Sequence, residues 1–361
     1  MNMIELTIVI AATILVADIY VGLSRRTRKM EFRFSRYSMF NMRPGRFQMT
    51  LSKQHYNLPE NSDVECEFTI SPDGHLDNIR PCDNIMIGGS TAFGVGSPGN
   101  SQNITGVLRN KYKLDVLNLA IPGWNIEQEV ITLLRHIVTI NPKKIVFLDG
   151  ANNLSLALPF NYHGERIHPD ALAFYGEDTY EKAINQHFDS VQAIGRRFKA
   201  LLKEVLRHSL IARAGYRVLG PQNTRKVSIA EKEHIDVDVL ANVAVQNYLE
   251  WMRIFVEVAS SRGIEVHCVL QPYYAFGRDM AAVGRFNFYN VNPAFDDYMI
   301  SAYNKLDSAL LVFKGIIYHP LFREMATESV GLFTDAVHLN DRGYELVADK
   351  LNSIFMESSA A

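Results

Sequence analysis

The segment NIMIGGSTAFGVG, residues 84–96, decides the fold of this chain of 361 amino acids. Its apolar first part ends at Gly88 and Gly89 and brings Ser90 to the point where a buried strand turns outward. Two glycines tolerate the tight backbone of such a turn, and the small residues from Thr91 onward can open a helix whose first N–H groups face the same place. Catalysis by a serine nucleophile needs the hydroxyl and an oxyanion donor side by side, and such a turn can present both. Taken alone, GGST also occurs in plain strand-to-helix turns and in phosphate-binding loops.

The composition limits the classes of function. A chain of this length with 47% hydrophobic residues can bury one sizeable core, so we expect a single domain with additions. The formal net charge of -2, from 37 basic and 39 acidic residues, gives no reason to expect a nucleic-acid partner. Three cysteines are too few for a disulfide framework, although Cys66 and Cys82 could pair. No CxxC motif or histidine cluster indicates a metal, and we expect no cofactor.

An apolar segment near the N-terminus, residues 6–23, is interrupted by threonines and Asp18. It is close to the minimum length for spanning a bilayer, and four basic residues follow it at once, as at a membrane interface. We therefore expect residues 1–29 to form a transmembrane anchor with a basic flank. A cleaved signal peptide is the competing interpretation, but Glu5 and no lysine or arginine precede the segment. A buried globular helix is the third interpretation.

Residues 30–83 have a mixed composition, which we interpret as a linker followed by edge strands. Arginines alternate with aromatic residues between Phe32 and Arg46, so a second interpretation is a stripe that lies on anionic lipid headgroups. The sequence VECEFTI, residues 64–70, alternates as a half-buried strand does, and a Pro-Asp-Gly turn follows it.

From residue 84 onward, strand patterns alternate with helix patterns. After the strand that ends before Ser90, strands are predicted over residues 116–119, 144–148, 264–270 and 315–319, and helices over residues 102–111, 126–140 and 344–356. This alternation implies parallel pairing in a doubly wound α/β sheet, where ligands bind beyond the carboxyl ends of the strands.

Residues 154–259 are longer than an ordinary crossover and are predicted to be a mostly helical cap insertion in a domain of residues 84–361. Apolar residues recur at helical spacing over residues 180–208 and 237–259. Four aromatic residues could form walls of the site or pack the insertion onto the sheet. They are Phe160, Tyr162, Phe174 and Tyr175.

Two further strand ends carry residues suited to binding an oxyanion. The second strand continues into NLAIPGWN, which contains Gly123, and the third continues into FLDGANNL, which contains Asn152. Each segment alone is ordinary turn chemistry. At successive strand ends, however, Ser90, the Gly123 N–H and the Asn152 amide can converge on one carbonyl oxygen.

The segment FTDAVHLNDRGYELVADKL near the C-terminus supplies a base. Asp335 and His338 are three residues apart, and one turn of helix-like backbone puts both side chains on one side. Asp335 can then accept from one ring nitrogen while the other faces outward, which makes the imidazole a general base. A DxxH pair alone is most often a pair of surface residues. When the pair lies near the end of an α/β chain whose first strand is followed by GGST, it indicates a catalytic site.

Together these segments resemble the four conserved blocks of the SGNH hydrolases, also called GDSL-type esterases and lipases. The resemblance covers about residues 84–355, with the blocks in the family's order. It implies a three-layer, flavodoxin-like α/β fold. It also implies that Ser90 is the nucleophile, His338 the base and Asp335 its orienting residue. The Ser90 N–H, the Gly123 N–H and the Asn152 amide correspond to the oxyanion hole.

Two positions depart from the family pattern. Gly89 stands where the name-giving motif has aspartate, and Asn153 stands where the third block has aspartate. Neither departure removes a group that transfers a proton, so the resemblance still implies activity. The change at Asn153 raises the question of how the Asn152 loop is held.

The sequence therefore predicts a membrane-anchored serine esterase that hydrolyses acyl esters, with an acetylated or otherwise acylated glycan as one substrate class. Alternatives are an O-acyltransferase of cell-surface polysaccharide assembly and a non-catalytic glycan-binding relative. Basic residues after the anchor favour a cytoplasmic domain, whereas anchored members of the family generally act on extracytoplasmic glycans. We expect the catalytic domain on the outer face.

Overall fold

The computed structural model describes residues 32–35, 38–51, 63–155, 237–276, 293–328 and 330–356. The chain divides into two compact units, and all of these residues belong to the unit formed by Arg28–Pro169 and Ile235–Ala361. The predicted anchor over residues 6–23, the helix over residues 180–208 and the four aromatic residues of the cap lie outside the described residues. Within the described ranges, no helix is long and apolar enough to cross a membrane.

Two antiparallel hairpins precede the central sheet. Strand β1 (Phe32–Ser35) pairs with β2 (Met39–Met42), and β3 (Gly45–Leu51) pairs with β4 (Val64–Ile70). The strand predicted over residues 64–70 has the same bounds in the structure. The hairpins are separate two-stranded sheets and are not hydrogen-bonded to the edge of the central sheet, which differs from the edge strands that we expected.

Three aromatic residues of these hairpins, Phe40, Phe47 and Phe68, face the protein interior. Phe40 and Phe47 are buried, and the Phe47 ring stacks on Phe68 with the centroids 5.5 Å apart. Phe68 in turn lies 5.0 Å from the ring of Phe93. Side chains alternate between the two faces of a strand, so Arg46 points outward while its neighbour Phe47 packs inward. The alternation of arginine and aromatic residues thus reflects a half-buried hairpin, with Phe40 and Phe47 in contact with the core.

A sheet of five parallel strands organises the described residues. Its strands are β5 (Asn84–Gly88), β6 (Val116–Asn118), β7 (Lys144–Asp149), β8 (Glu265–Leu270) and β9 (Ile317–His319). The spatial order is β6-β5-β7-β8-β9, which is the order of flavodoxin-like sheets. In such sheets ligands bind where the strand order reverses, here between β5 and β7. The predicted parallel sheet of an α/β fold is therefore confirmed.

Helices connect these strands and cover the sheet. They are α1 (Ser90–Phe93), α2 (Ile104–Tyr112), α3 (Ile126–Ile140), α4 (Ala151–Ser155), α5 (Val237–Ser261), α6 (Pro293–Leu310), α7 (Leu321–Met325) and α8 (Asp341–Met356). Helix α2 packs against α8, whereas α5 packs against α3 and α6. The connection from β5 to β6 contains α2, and the connection from β6 to β7 contains α3 and runs across the sheet in the opposite direction. Because connections between parallel strands are right-handed, this reversal puts α2 and α3 on opposite faces of the sheet.

Helix bounds follow from local capping chemistry. Helix α3 has the bounds predicted for it because Asn125 and Gln128 form a capping box at its start. Asn141, in the left-handed conformation with φ +50, ends it. Helix α8 begins at Asp341, three residues before the predicted start, because the Asn340 side chain caps it by accepting from the Gly343 N–H at 3.0 Å.

The three cysteines are buried free thiols. Cys66 lies in β4, opposite Met49, and burial raises its pKa to about 12. The thiol of Cys82 donates to the Asn84 carbonyl at 3.2 Å. The pairing of Cys66 with Cys82 that the sequence left open is therefore absent from the structure.

Candidate active site

Ser90 lies just beyond the carboxyl end of β5, the strand between β6 and β7. The strand ends at Gly88, and α1 begins at Ser90 itself, so the chain turns sharply between them. Ser90 is half-buried, whereas its neighbours Gly89 and Thr91 are buried. The hydroxyl thus stands at the rim of the sheet beside the strand-order reversal, as the sequence predicted.

The structure brings His338 and Asp335 to Ser90, although His338 and Ser90 are 248 positions apart. The His338 Nε2 atom lies 2.6 Å from the Ser90 Oγ atom, and His338 Nδ1 lies 2.5 Å from Asp335 Oδ2. Because the carboxylate can only accept, Nδ1 carries the proton and Nε2 is free to accept from the serine hydroxyl. These contacts form a continuous carboxylate–imidazole–hydroxyl chain.

Asp335 is held as a carboxylate. Its second oxygen, Oδ1, accepts from the Val337 N–H at 2.9 Å and from the His338 N–H at 2.8 Å. Burial by itself raises a carboxyl pKa, but the charge and hydrogen bond of His338 and the two backbone N–H groups outweigh it, so the pKa of Asp335 lies below its ordinary value. Asp335 is therefore ionised at neutral pH and orients the imidazole.

The turn that carries this pair is not helical, which corrects the sequence-based expectation. Phe333 and Leu339 form an antiparallel bridge, and the Thr334 N–H donates to the His338 carbonyl at 2.8 Å. Within the turn, the Asp335 carboxylate accepts hydrogen bonds from the backbone N–H groups of Val337 and His338, and these bonds close the turn. The two side chains meet because of this turn and not because of helical spacing.

Asn152 lies beside the nucleophile at the start of α4. Its Nδ2 atom donates to the Trp124 carbonyl at 2.6 Å, and a Cβ atom built on Gly89 would lie only 2.5 Å from the same nitrogen. A side-chain amide has two N–H groups. One is occupied by Trp124, which leaves the other for a ligand.

Gly123 directly precedes Trp124 in the loop after β6. Its φ of +86 is a conformation that residues with side chains rarely adopt. A Cβ atom at this position would lie 3.6 Å from the Phe40 ring. Hairpin β1–β2 therefore packs directly on the loop that carries Gly123.

Asn153, the second departure from the family pattern, links the loops after β6 and β7. Its Oδ1 atom accepts from the Ile126 N–H at 3.2 Å, at the first turn of α3. Together with the bond from Asn152 to Trp124, this ties the two loops by two hydrogen bonds. The amide oxygen thus supplies the acceptor that holds the Asn152 loop.

Sequence reasoning missed the supporting residues of this region. The Trp124 indole N–H donates to the Phe40 carbonyl at 2.9 Å, and Gln128 Nε2 donates to the Ser38 carbonyl at 2.8 Å. Both bonds join the first hairpin to the loop and helix after β6. Trp124, directly after Gly123, was the sequence signal for such a contact, because a buried indole N–H needs a hydrogen-bond acceptor.

A pair of buried carboxyl groups lies behind the third strand end. Glu129 and Asp149 are buried, and the Tyr248 hydroxyl donates to Asp149 Oδ1 at 2.8 Å. Burial and then the neighbouring carboxylate raise the pKa of Glu129 well above its ordinary value, and burial raises the pKa of Asp149 to about 6. Two such carboxyl groups retain a proton near neutral pH, so the pair carries less than two charges.

Comparisons with known proteins give structural neighbours only. No protein-family model and no curated protein sequence matches this chain. Among solved structures, the acetyl xylan esterase AlAXEase aligns at 12% identity over 75% of this chain and 98% of its own, with a TM-score of 0.39. A lipase/acylhydrolase from Enterococcus faecalis aligns at 12% identity over 77% and 100% (TM-score 0.37). A GDSL-like lipase from Bacteroides thetaiotaomicron aligns at 10% identity over 76% and 87% (TM-score 0.34).

These three neighbours are described as an acetyl xylan esterase, a lipase/acylhydrolase and a GDSL-like lipase. The identities and TM-scores are low, so the chemistry of this site is inferred from its own atoms.

Proposed function

We propose that this chain is a serine ester hydrolase of the SGNH type, in which Ser90, His338 and Asp335 form the catalytic triad. The observation that carries the proposal is the continuous hydrogen-bonded chain from Asp335 through His338 to Ser90, with separations of 2.5 Å and 2.6 Å. A nucleophile, a base within hydrogen-bond reach and a third group that orients the base are the parts that activate a serine.

In the acylation step, His338 Nε2 takes the proton of Ser90 Oγ as the oxygen attacks the acyl carbonyl. The Ser90 N–H, the Gly123 N–H and the unused N–H of Asn152 bind the oxygen that becomes negative. The imidazolium is stabilised by Asp335 and gives its proton to the departing alkoxide, which leaves as the alcohol. The product is an acyl ester of Ser90.

In the deacylation step, a water molecule takes the place of the alcohol. His338 accepts a proton from this water as it attacks the acyl carbonyl, and the same donors bind the oxyanion again. The C–O bond to Ser90 then breaks, and the serine oxygen recovers a proton from His338. The carboxylic acid leaves, and the proposed cycle uses no cofactor.

We also propose that residues 6–23 anchor the chain in a membrane and that the substrate is an acyl ester of a cell-surface glycan. Support for the anchor is the apolar segment itself together with the basic residues that follow it. Support for an extracytoplasmic glycan is the resemblance to anchored SGNH hydrolases. This part of the proposal is independent of the triad chemistry.

The test is active-site labelling of purified protein with a fluorophosphonate, which reacts with activated serines. We expect wild-type protein to be labelled and to hydrolyse p-nitrophenyl acetate. In Ser90→Ala, the labelling rate and the rate of ester hydrolysis should both fall by several orders of magnitude. Ser308→Ala is the matched control because this serine lies in α6 with an exposed side chain. A folded wild-type protein that is not labelled would favour the non-catalytic alternative, and equal labelling of Ser90→Ala would refute the assigned nucleophile.

A further inference from the structure

Thr91, the residue after the nucleophile, connects α1 to the turn that carries the base. Its side chain is fully buried, and its Oγ1 atom lies 3.0 Å from the Val337 carbonyl oxygen and 3.0 Å from Gln271 Nε2. A carbonyl oxygen only accepts and an amide NH₂ only donates, whereas a hydroxyl does both. Thr91 therefore donates to Val337 and accepts from Gln271, and all three groups are satisfied.

The peptide unit between Val337 and His338 is held at both ends. Its carbonyl oxygen accepts from Thr91, and its N–H donates to Asp335 Oδ1. Because a peptide unit is planar, fixing the oxygen and the N–H fixes the orientation of the whole unit. That orientation sets the direction in which the His338 side chain leaves the backbone.

Gln271 supplies a rigid support for Thr91. It directly follows β8 and is buried, and its backbone N–H donates to the Asp149 carbonyl at 3.0 Å. The same loop also contacts the base-bearing turn, because the Tyr274 N–H donates to the Ala336 carbonyl at 3.0 Å. Two consecutive carbonyls before His338 are thus bound from outside the turn.

We infer that Thr91, supported by Gln271, is a positioning residue that keeps the base in hydrogen-bond reach of the nucleophile. The inference rests on the proposed function. Ser90 and Thr91 are neighbours in α1, so the bond from Thr91 to Val337 couples the nucleophile's helix directly to the turn of His338. Loss of the hydroxyl leaves the Val337 carbonyl without this donor and removes this hydrogen bond between α1 and the turn.

The experiment compares wild type with Thr91→Val, which keeps the shape of the side chain and removes the hydroxyl. A displacement of about 1 Å in a catalytic group can lower the rate about 100-fold, so we expect kcat and the fluorophosphonate labelling rate to fall by about 10-fold to 100-fold. KM should stay within about twofold, because the effect acts on the chemical step. Thr91→Ser retains the hydroxyl and should restore most of the rate.

Thr105→Val is the matched control for the loss of a buried hydroxyl. Thr105 is buried in α2, accepts from Asn118 Nδ2 at 3.1 Å and donates to Asn103 Oδ1 at 3.1 Å, and none of these bonds involves the turn of His338. It should lower the thermal midpoint of unfolding much as Thr91→Val does. Its kcat and labelling rate, measured well below that midpoint, should match those of wild type.

The outcomes separate the inference from the proposed function. Absence of labelling in folded wild type refutes the proposed function and the inference with it. Normal labelling of wild type with an unchanged kcat in folded Thr91→Val, or an equal kcat loss in Thr105→Val, refutes the inference alone. If Thr91→Val does not fold, Gln271→Met replaces it. That variant removes the support of Thr91, and an unchanged kcat in it also refutes the inference.

Discussion

Substitution of Gly89 by alanine tests whether the space beside the nucleophile is reserved for Asn152. Gly89 has φ -85 and ψ -151, an extended backbone outside the left-handed region that favours glycine. The added Cβ would lie 2.5 Å from Asn152 Nδ2, and the next nearest atom, the Trp124 carbonyl oxygen, is at 3.4 Å. The predicted effect of the substitution therefore acts through Asn152.

The expected magnitude follows from this contact. An ordinary Cβ contact begins at 3.4 Å, so the Asn152 nitrogen must retreat by about 1 Å. The same nitrogen donates to the Trp124 carbonyl at 2.6 Å, so the shift acts on this hydrogen bond as well. A misplacement of about 1 Å lowers a rate by about 100-fold, and complete loss of one oxyanion donor lowers it by about 100-fold to 1,000-fold. We expect kcat to fall by about 100-fold in Gly89→Ala.

A double-mutant cycle with Asn152→Ala provides the assay. Hydrolysis of p-nitrophenyl acetate is measured for wild type, Gly89→Ala, Asn152→Ala and the double variant, with thermal unfolding of each to confirm folding. In the Asn152→Ala background the amide is gone, so Gly89→Ala should cost little further activity. Equal losses in both backgrounds, or no loss in the single variant, would refute the reasoning.

Two further predictions concern pH and the membrane. Because burial raises the pKa of Asp149 to about 6, the folded chain binds a proton more tightly than the unfolded chain. The stability of wild type relative to Asp149→Asn should therefore fall as the pH rises from 4 to 7. Urea midpoints of the two proteins that change in parallel over this range would contradict this. We expect alkaline phosphatase fused after Ala361 to be active, because this reporter is active only when it is exported. An inactive phosphatase fusion together with a fluorescent fusion to a cytoplasmic reporter would place the domain in the cytoplasm.

Local chemistry explains what the sequence could predict. The strand at residues 64–70 and helix α3 have their predicted bounds because alternation and a capping box are written in consecutive residues. The expectation that Ser90, Asn152 and His338 meet rested on strand ends sharing one edge of a parallel sheet and on the family resemblance. Ser90 and His338 are in hydrogen-bond contact, and Asn152 lies beside Gly89.

Long-range contacts explain what the sequence did not predict. The hydrogen bond between Gln271 and Thr91 joins residues 180 positions apart, and neither residue carries a local signal for it. The turn from Asp335 to His338 is fixed by a carboxylate that binds backbone N–H groups, so the spacing alone suggested the wrong backbone. Aromatic residues between arginines predict a membrane stripe and a half-buried hairpin equally well, and only packing decides between them.

The buried carboxyl pair gives a physical reason for the asparagine at position 153. Asn153 accepts from the N–H of Ile126, and Glu129 lies one turn further along the same helix. An aspartate could make the same hydrogen bond and would also be favoured by the helix dipole. It would, however, add a carboxylate at the first turn of the helix that carries Glu129, and the pKa values of Glu129 and Asp149 are already raised by burial. A neutral amide keeps the hydrogen bond that fixes the Asn152 loop and adds no charge to this buried region.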